Sequence, residues 1–429
     1  MRHRASSRPG NAVTLLFFAL SASTALAEWG IAPEGEGWQL LKDGEPFYIR
    51  GAVAPNRFDV LRACGGNAVR TAANKASLDA AHAAGLAAMA NLRVRGERDG
   101  MDWDDPAQVE KQKQAALDVV RGLKDHPAVM FWAVGNELDH IPGGKAYNAR
   151  IWERLNDIAI AIKRLDPSHP VMTVVGTGRM EKKVLEMAAG CPDMDLLGIN
   201  AYGDIARATE LVRRHWPKPY AVTEWGPTGH WEVPKTSWRV PIEQTSSEKA
   251  RVIDDRYRKV ILADRTHCLG SFAFYWSEKQ ETTHTWYGLF CDGLQTESID
   301  VLQHLWTGKW PANRAPAIDG LGIDGFPDPR ATRLKAGQRY RAGARVVDPE
   351  SDPLVFGWDI RPEVEIPPGS YAGGMEKRAK PIEGLIRDPS VATIEFTAPG
   401  KPGRYRLFFT AKDGKGHIAY GNIPFLVEE

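Results

Sequence analysis

Between residues 47 and 306 short apolar runs alternate with longer amphipathic ones. The runs Phe47–Val53, Ala68–Thr71, Ala87–Val94, Val129–Val134, Val171–Val175, Leu196–Asn200, Tyr220–Thr223 and Ser271–Tyr275 are short and rich in Val, Ile and aromatics. Near-continuous apolar runs of this kind are the pattern of strands buried on both faces. Helical periodicity fills the intervals, clearest over Pro106–Lys124 and Tyr147–Leu165, and a last helix is predicted over Glu297–Trp306. Leu41–Pro46 reads as a turn leading into the first strand. Eight strand–helix units in strict alternation imply a parallel sheet closed on itself, a (β/α)8 TIM barrel of the α/β class. An open doubly wound sheet would want a Gly-rich phosphate turn after the first strand. Gly51-Ala52-Val53-Ala54-Pro55 is not one.

After Trp310 the pattern changes. Pro311–Pro316 reads as a stiff linker. Beyond it helical periodicity gives way to alternating runs at Gln338–Val347, Leu354–Ile360, Val391–Thr397, Tyr405–Ala411 and Ile418–Val427, separated by turn clusters such as Asp348–Pro353 and Lys412–Gly416. Residues 317–429 are therefore predicted to form a small all-β, immunoglobulin-like sandwich. No internal repeat or low-complexity segment is present in either part.

The first 27 residues fit neither unit. Arg2, Arg4 and Arg8 precede the apolar stretch Val13–Leu20, and Ala25-Leu26-Ala27 offers a small-x-small cleavage site before Glu28. This is the pattern of a secretory signal peptide, too short to span a bilayer as a helix. The expectation is an exported protein, secreted or periplasmic, without a membrane anchor, whose barrel domain runs from residue 28 to 310. Cleavage removes three arginines and turns the formal charge of +1 into −2. A nearly neutral chain makes no electrostatic case for nucleic acid. Among four cysteines, strand placement leaves Cys64 and Cys268 as the only conceivable disulfide pair.

Two of the apolar runs end in glutamate: Glu137 closes Val129–Glu137, and Glu224 closes Pro219–Glu224 ahead of Trp225-Gly226-Pro227. Strand ends at the C-terminal face of a barrel form its active site. A pair of carboxylates there suits glycoside cleavage, in which one acid protonates the leaving oxygen and a second carboxylate attacks or activates water. Fourteen Trp in 429 residues point the same way, because indole stacks on the apolar faces of sugar rings. The segments after the seventh and eighth strands carry His230, Trp231, Trp238, Trp286 and Tyr287, which suit an extended glucan-like chain. Asp139, His140, Glu278 and Glu281 are read as solvated loop residues, and His126 as part of the turn entering the fourth strand.

The segment Leu123–Glu137 resembles the acid/base signature of glycoside hydrolase family 2 and of its wider clan A. Phe47–Gly51, Asn67–Thr71, Asp195–Tyr202 and Val222–Gly226 resemble the first, second, sixth and seventh barrel strands of that family. The resemblance spans residues 40 to 310. It implies that Glu137 is the general acid/base and Glu224 the nucleophile of a retaining double displacement. It further implies that Asn136 bonds the sugar 2-hydroxyl, that Arg70 and Tyr202 flank Glu224 with Arg70 keeping it ionised, and that Trp276 is the floor on which the reacting sugar stacks. No cofactor or metal is implied.

Family 2 enzymes typically carry a jelly-roll and an immunoglobulin-like domain before the barrel. Only about a dozen residues lie between the expected cleavage site and the first strand's lead-in, so a more open cleft is expected. Phe47–Gly51 also resembles the opening strand of β-1,3-glucanosyltransferases of the same clan. The expected activity is therefore hydrolysis of a β-glucan-like polysaccharide or oligosaccharide. A transglycosylase with the same residues, or a non-catalytic carbohydrate-binding barrel, are the alternatives. The C-terminal unit resembles cadherin-like or PKD-type accessory modules and is expected to stand apart from the pocket, with Trp358 in its core. Asp348, Glu350, Asp352 and Asp413 could surround Ca²⁺, but solvated acidic turns are the expected state.

Overall fold

The computed structural model describes residues 28–141, 143, 145–365 and 376–429. The expected signal peptide lies outside the described residues. Eight parallel strands close into a barrel: Ile49–Val53, Ala68–Ala72, Ala87–Leu92, Val129–Val134, Val171–Gly176, Leu196–Asn200, Tyr220–Trp225 and Cys268–Ala273. They neighbour one another in chain order, and the eighth pairs with the first through Gly270↔Ile49 to Ala273↔Ala52. The expected strands are all present: Val129–Val134 and Leu196–Asn200 match at both ends, and the other ends are displaced by at most three residues. The seventh runs on to Trp225, so Glu224 is a strand residue. The eighth begins at Cys268 and ends at Ala273, which leaves Phe274 to Trp276 beyond its end.

The barrel interior is filled by Met89, Met130, Phe131, Met172, Leu196, Leu269 and Phe272, while Val69, Val120, Trp132, Leu155 and Val222 pack between strands and outer helices. Its lower end is closed by an element the apolar pattern does not reveal, a hairpin of Trp29–Glu34 and Gly37–Lys42. Leu41 and Lys42, read above as turn, belong to it. Trp29 and Leu40 join the interior cluster, and the Trp38 amide bonds the Thr266 carbonyl at 2.7 Å. Gly37 makes this approach possible, since a Cβ there would sit 2.2 Å from that same oxygen.

Beyond the helix Glu297–Thr307 the chain forms two sheets. Ala317–Ile323, Arg339–Val347 and Thr393–Thr397 make one; Arg333–Lys335, Ile418–Glu428, Gly403–Lys412 and Val355–Pro362 make the other. Ile318, Ala342, Trp358, Phe396, Leu407, Phe409 and Phe425 form their common core, and the Trp358 indole donates to the Val391 carbonyl. Ala317–Ile323 and Arg333–Lys335 escaped the sequence pattern, because their Gly, Asp and Lys positions blur the alternation. Asp348, Asp352 and Asp413 bring oxygens within 4.8 Å of one another, yet they are not simply solvated: Lys415 pairs with Asp352, and Asp413 accepts from Asn313.

This unit packs against the barrel. The helix Ser246–Arg256, which follows the seventh strand, bonds Tyr420 through Ser246 and Ile318 through Ser247. Glu243 and Lys249, 0% and 3% exposed at their side chains, form an ion pair of 2.6 Å. Glu243 also accepts from Asn422 and Thr283, and Lys249 also donates to the Thr285 carbonyl. A buried pair is tolerable when its remaining donors and acceptors are satisfied. Here the partners come from both units, so the C-terminal sheets anchor loop 277–289 beside the barrel mouth. No helix among the described residues is long and apolar enough to cross a membrane. The four cysteines are buried free thiols, so the Cys64–Cys268 pair is not formed.

Candidate active site

The fourth strand ends at Val134, and the chain turns sharply through Gly135 at φ +77° and Glu137 at φ +46°. The Glu137 amide bonds the Val174 carbonyl of the fifth strand at 2.8 Å, which fixes the turn over the barrel mouth. Across the barrel, pairing of the sixth and seventh strands slips between Val222 and Glu224. Such an irregularity re-aims a side chain. Trp225 then packs against Tyr257, while Glu224 lies among polar groups.

Three side chains, Arg70, Asn136 and Asn200, link the two glutamates. Arg70 Nη1 donates to Glu224 Oε1 at 2.9 Å, and Arg70 Nη2 donates to Asn136 Oδ1 at 2.6 Å. Asn200 Nδ2 donates to Glu137 Oε1 at 2.7 Å and to Asn136 Oδ1 at 3.0 Å. Asn200 Oδ1 in turn accepts from Arg70 and from the Thr223 hydroxyl. The Tyr202 hydroxyl donates to Glu224 Oε2 at 3.1 Å. Because the Asn136 amide oxygen is taken twice, its NH2 group remains to meet a ligand.

Asn200 is a site residue that sequence reasoning passed over. It stands inside the quoted motif Asp195–Tyr202, and its position as the last residue of the sixth strand was the available signal.

Burial pushes the Glu224 carboxyl up to about 7, and the charge of Glu137 pushes the same way. Arg70 and the Tyr202 hydroxyl pull it back without cancelling the burial. Arg70 alone, then, does not hold this carboxyl low, as the resemblance implied. Of the two glutamates, Arg70 and Tyr202 donate to Glu224 alone, so negative charge is best accommodated there.

Trp276 is a correction. Its ring is 0% exposed, stacked on Trp306 and edge-on to Phe290, and its indole N–H donates to the Arg57 carbonyl. Strand eight stops at Ala273, and the chain bends so that Trp276 points into the barrel–helix core. The aromatic wall beside Glu224 is instead Tyr202, Phe274 and Tyr287, with centroids 5.5 to 6.1 Å apart. Trp231, 53% exposed, stands edge-on to Tyr202 at 5.6 Å.

Two loop acids read as solvated are buried. Glu281 is held by His230 at 3.3 Å and Lys279 at 2.5 Å, and these keep its carboxyl below the usual range despite burial. Asp139 pairs with Lys183. Glu278 bonds the Gly293 amide, Trp238 lies under Arg333, and His126 caps the turn at Ala128.

A closed parallel barrel with paired carboxylates at its mouth defines the architecture of a barrel glycosidase. Residues 56–294, more than half of the chain, match the family described as glycosyl hydrolases family 2, TIM barrel domain, and the chain belongs to that family. Curated relatives include the β-glucuronidases of Chlorocebus aethiops, 24% identical over 285 residues, and of Sus scrofa, 26% identical over 259 residues. These alignments cover 57% and 52% of this chain but 41% and 37% of the relatives, so the chain spans about two fifths of their length. Apo β-glucuronidase 3 of Bacteroides uniformis superposes with a TM-score of 0.49 at 15% identity, over 94% of this chain and 52% of its own.

Proposed function

We propose that the protein is an exported, retaining β-glycosidase that cleaves a β-glucan-like polysaccharide or oligosaccharide by double displacement. The observation that carries the reading is the hydrogen-bonded path from Glu137 through Asn200 and Arg70 to Glu224. It places one carboxyl beside a neutral amide and the other beside a guanidinium, the asymmetry that an acid and a nucleophile need. The Glu224 carboxylate attacks the anomeric carbon while Glu137 gives its proton to the departing oxygen, so the glycosidic C–O bond breaks as the ester bond forms. Glu137 then takes a proton from water, whose oxygen attacks the same carbon and frees Glu224. Asn136 offers its NH2 group to the 2-hydroxyl, a contact that strengthens in the transition state. The basic, apolar leader ending in Ala25-Leu26-Ala27 supports export.

The test is product analysis on β-glucans, mannans, β-galactosides and β-glucuronides, with the anomer followed by NMR from the first turnover. Initial release of the β-anomer is the expected result. Initial release of the α-anomer means inversion, and a longer oligosaccharide in place of free sugar means transfer. A 2-deoxy-2-fluoro glycoside should label the peptide containing Glu224.

A further inference from the structure

Lys183 is 1% exposed on the helix Met180–Gly190, in the midst of an otherwise apolar face. Burying an ammonium group is costly unless it is paired and hydrogen-bonded. Its nitrogen is used twice. It forms an ion pair with Asp139, and it donates to the Gly176 carbonyl at 2.5 Å.

Both partners border Glu137. Asp139 lies two residues on, in the turn closed by the His140 amide on the Glu137 carbonyl at 3.0 Å. Gly176 ends the fifth strand directly against the Glu137 carboxyl, where a Cβ would stand 3.2 Å from Glu137 Cδ. One cation therefore ties down the turn that carries Glu137 and the strand end that walls it. The left-handed backbone at Glu137 is strained and persists only where its surroundings over-determine it. Asp139 Oδ1 is buried without a partner, and the Glu137 charge pushes the Asp139 carboxyl up alongside burial, so the two acids feel each other.

We propose that Lys183, acting through Asp139 and Gly176, is a positioning residue for Glu137 that sets its carboxyl against the departing oxygen. The inference rests on the reading of Glu137 as the acid/base. A strut of this kind acts on the proton-transfer step and leaves attack by Glu224 alone. Its loss therefore depends on how much protonation the leaving group needs, whereas a merely structural defect lowers all substrates alike.

The experiment compares 2,4-dinitrophenyl and unsubstituted phenyl β-glycosides of whichever of glucose, mannose, galactose or glucuronic acid the wild type turns over. Lys183→Met leaves Asp139 buried without its partner and risks the fold. The double variant Lys183→Met/Asp139→Asn removes both charges and keeps a neutral side chain of the same shape at 139. For each variant that folds, the expected result is a fall in kcat/KM on the order of 10²-fold for the phenyl glycoside, at the low end of what a general acid supplies. The dinitrophenyl glycoside, which needs no proton, should change less than about threefold. Equal losses on both substrates, or none, overturn the inference. Glu137→Ala run alongside separates the two claims. If it shows the leaving-group split and the double variant does not, the strut alone falls; if Glu137→Ala shows no split, the acid/base reading falls as well.

Discussion

Asn200 gives its amide N–H to Glu137 at 2.7 Å while its amide oxygen accepts from Arg70, the residue that holds Glu224. One short side chain at the end of the sixth strand thus spaces the two carboxylates and orients both. Asn200→Ala removes the spacer without adding charge. We expect kcat/KM to fall on the order of 10²-fold, as for misplacement of a catalytic group by about 1 Å, with little change in thermal midpoint. Steady-state kinetics beside a melting curve checks this; a loss matched by unfolding would contradict it.

Removing each glutamate should give different signatures. Glu224→Gln is expected to lower kcat by about 10⁴-fold or more on every substrate, since no nucleophile remains. Glu137→Ala should keep attack on 2,4-dinitrophenyl glycosides, and azide should then yield a glycosyl azide of retained configuration. An inverted azide product, or azide rescue of the Glu224 variant alone, would mean that the roles are exchanged.

Trp231 is the exposed ring of the cleft wall, and its loop is pinned. Glu232 accepts from the Gly203, Asp204 and Gly229 amides, and a Cβ at Gly229 would stand 2.7 Å from the indole. A held, exposed indole suits stacking on a sugar beyond the reacting one. Trp231→Ala is expected to cost about tenfold in kcat/KM on a β-linked tetrasaccharide and little on a phenyl glycoside. Equal losses on the two would remove Trp231 from substrate binding.

Asp300 makes stability pH-dependent. Burial pushes its carboxyl up to about 7, and its Oδ2 accepts from the Ala315 amide at 2.6 Å where the linker meets the last helix. Its folded pKa exceeds its unfolded value near 3.9, so its contribution is intact below about 4 and is lost as pH rises through about 7. Asp300→Asn keeps an acceptor for Ala315 and removes the charge. The variant should match wild type near pH 4 and exceed it by up to about 4 kcal/mol at pH 8, read from denaturant unfolding across that range. A constant difference would refute the assignment.

A chain ending at Trp310 tests the anchoring of the mouth. It loses Asn422 and Tyr420 from the Glu243–Lys249 pair, and Glu376, which accepts from the Thr282 amide at 2.6 Å. Loop 277–289 should loosen, and kcat/KM on a short phenyl glycoside should fall on the order of 10²-fold. Full activity with a folded barrel would restore the reading of the C-terminal sheets as an appendage.

The order of eight apolar runs was enough to read the barrel from the chain, because strands covered on both faces must be apolar throughout. The same logic placed Glu137 and Glu224 at strand ends on one face, and the family resemblance added Arg70, Asn136 and Tyr202. Register, burial and long-range polar pairing were decided only by the folded structure. Trp276 looked like a cleft residue until strand eight proved to stop at Ala273, and a shift of two residues turned it into core. Glu281 and Asp139 looked solvated because their cations, Lys279 and Lys183, are recognisable as partners only in the folded loops and helices. The hairpin beneath the barrel escaped because Gly30, Gly37 and polar residues interrupt its apolar ones and it plugs an opening that exists only once the ring has closed. Local pattern reports which backbone is buried; which polar group meets which is a property of closure.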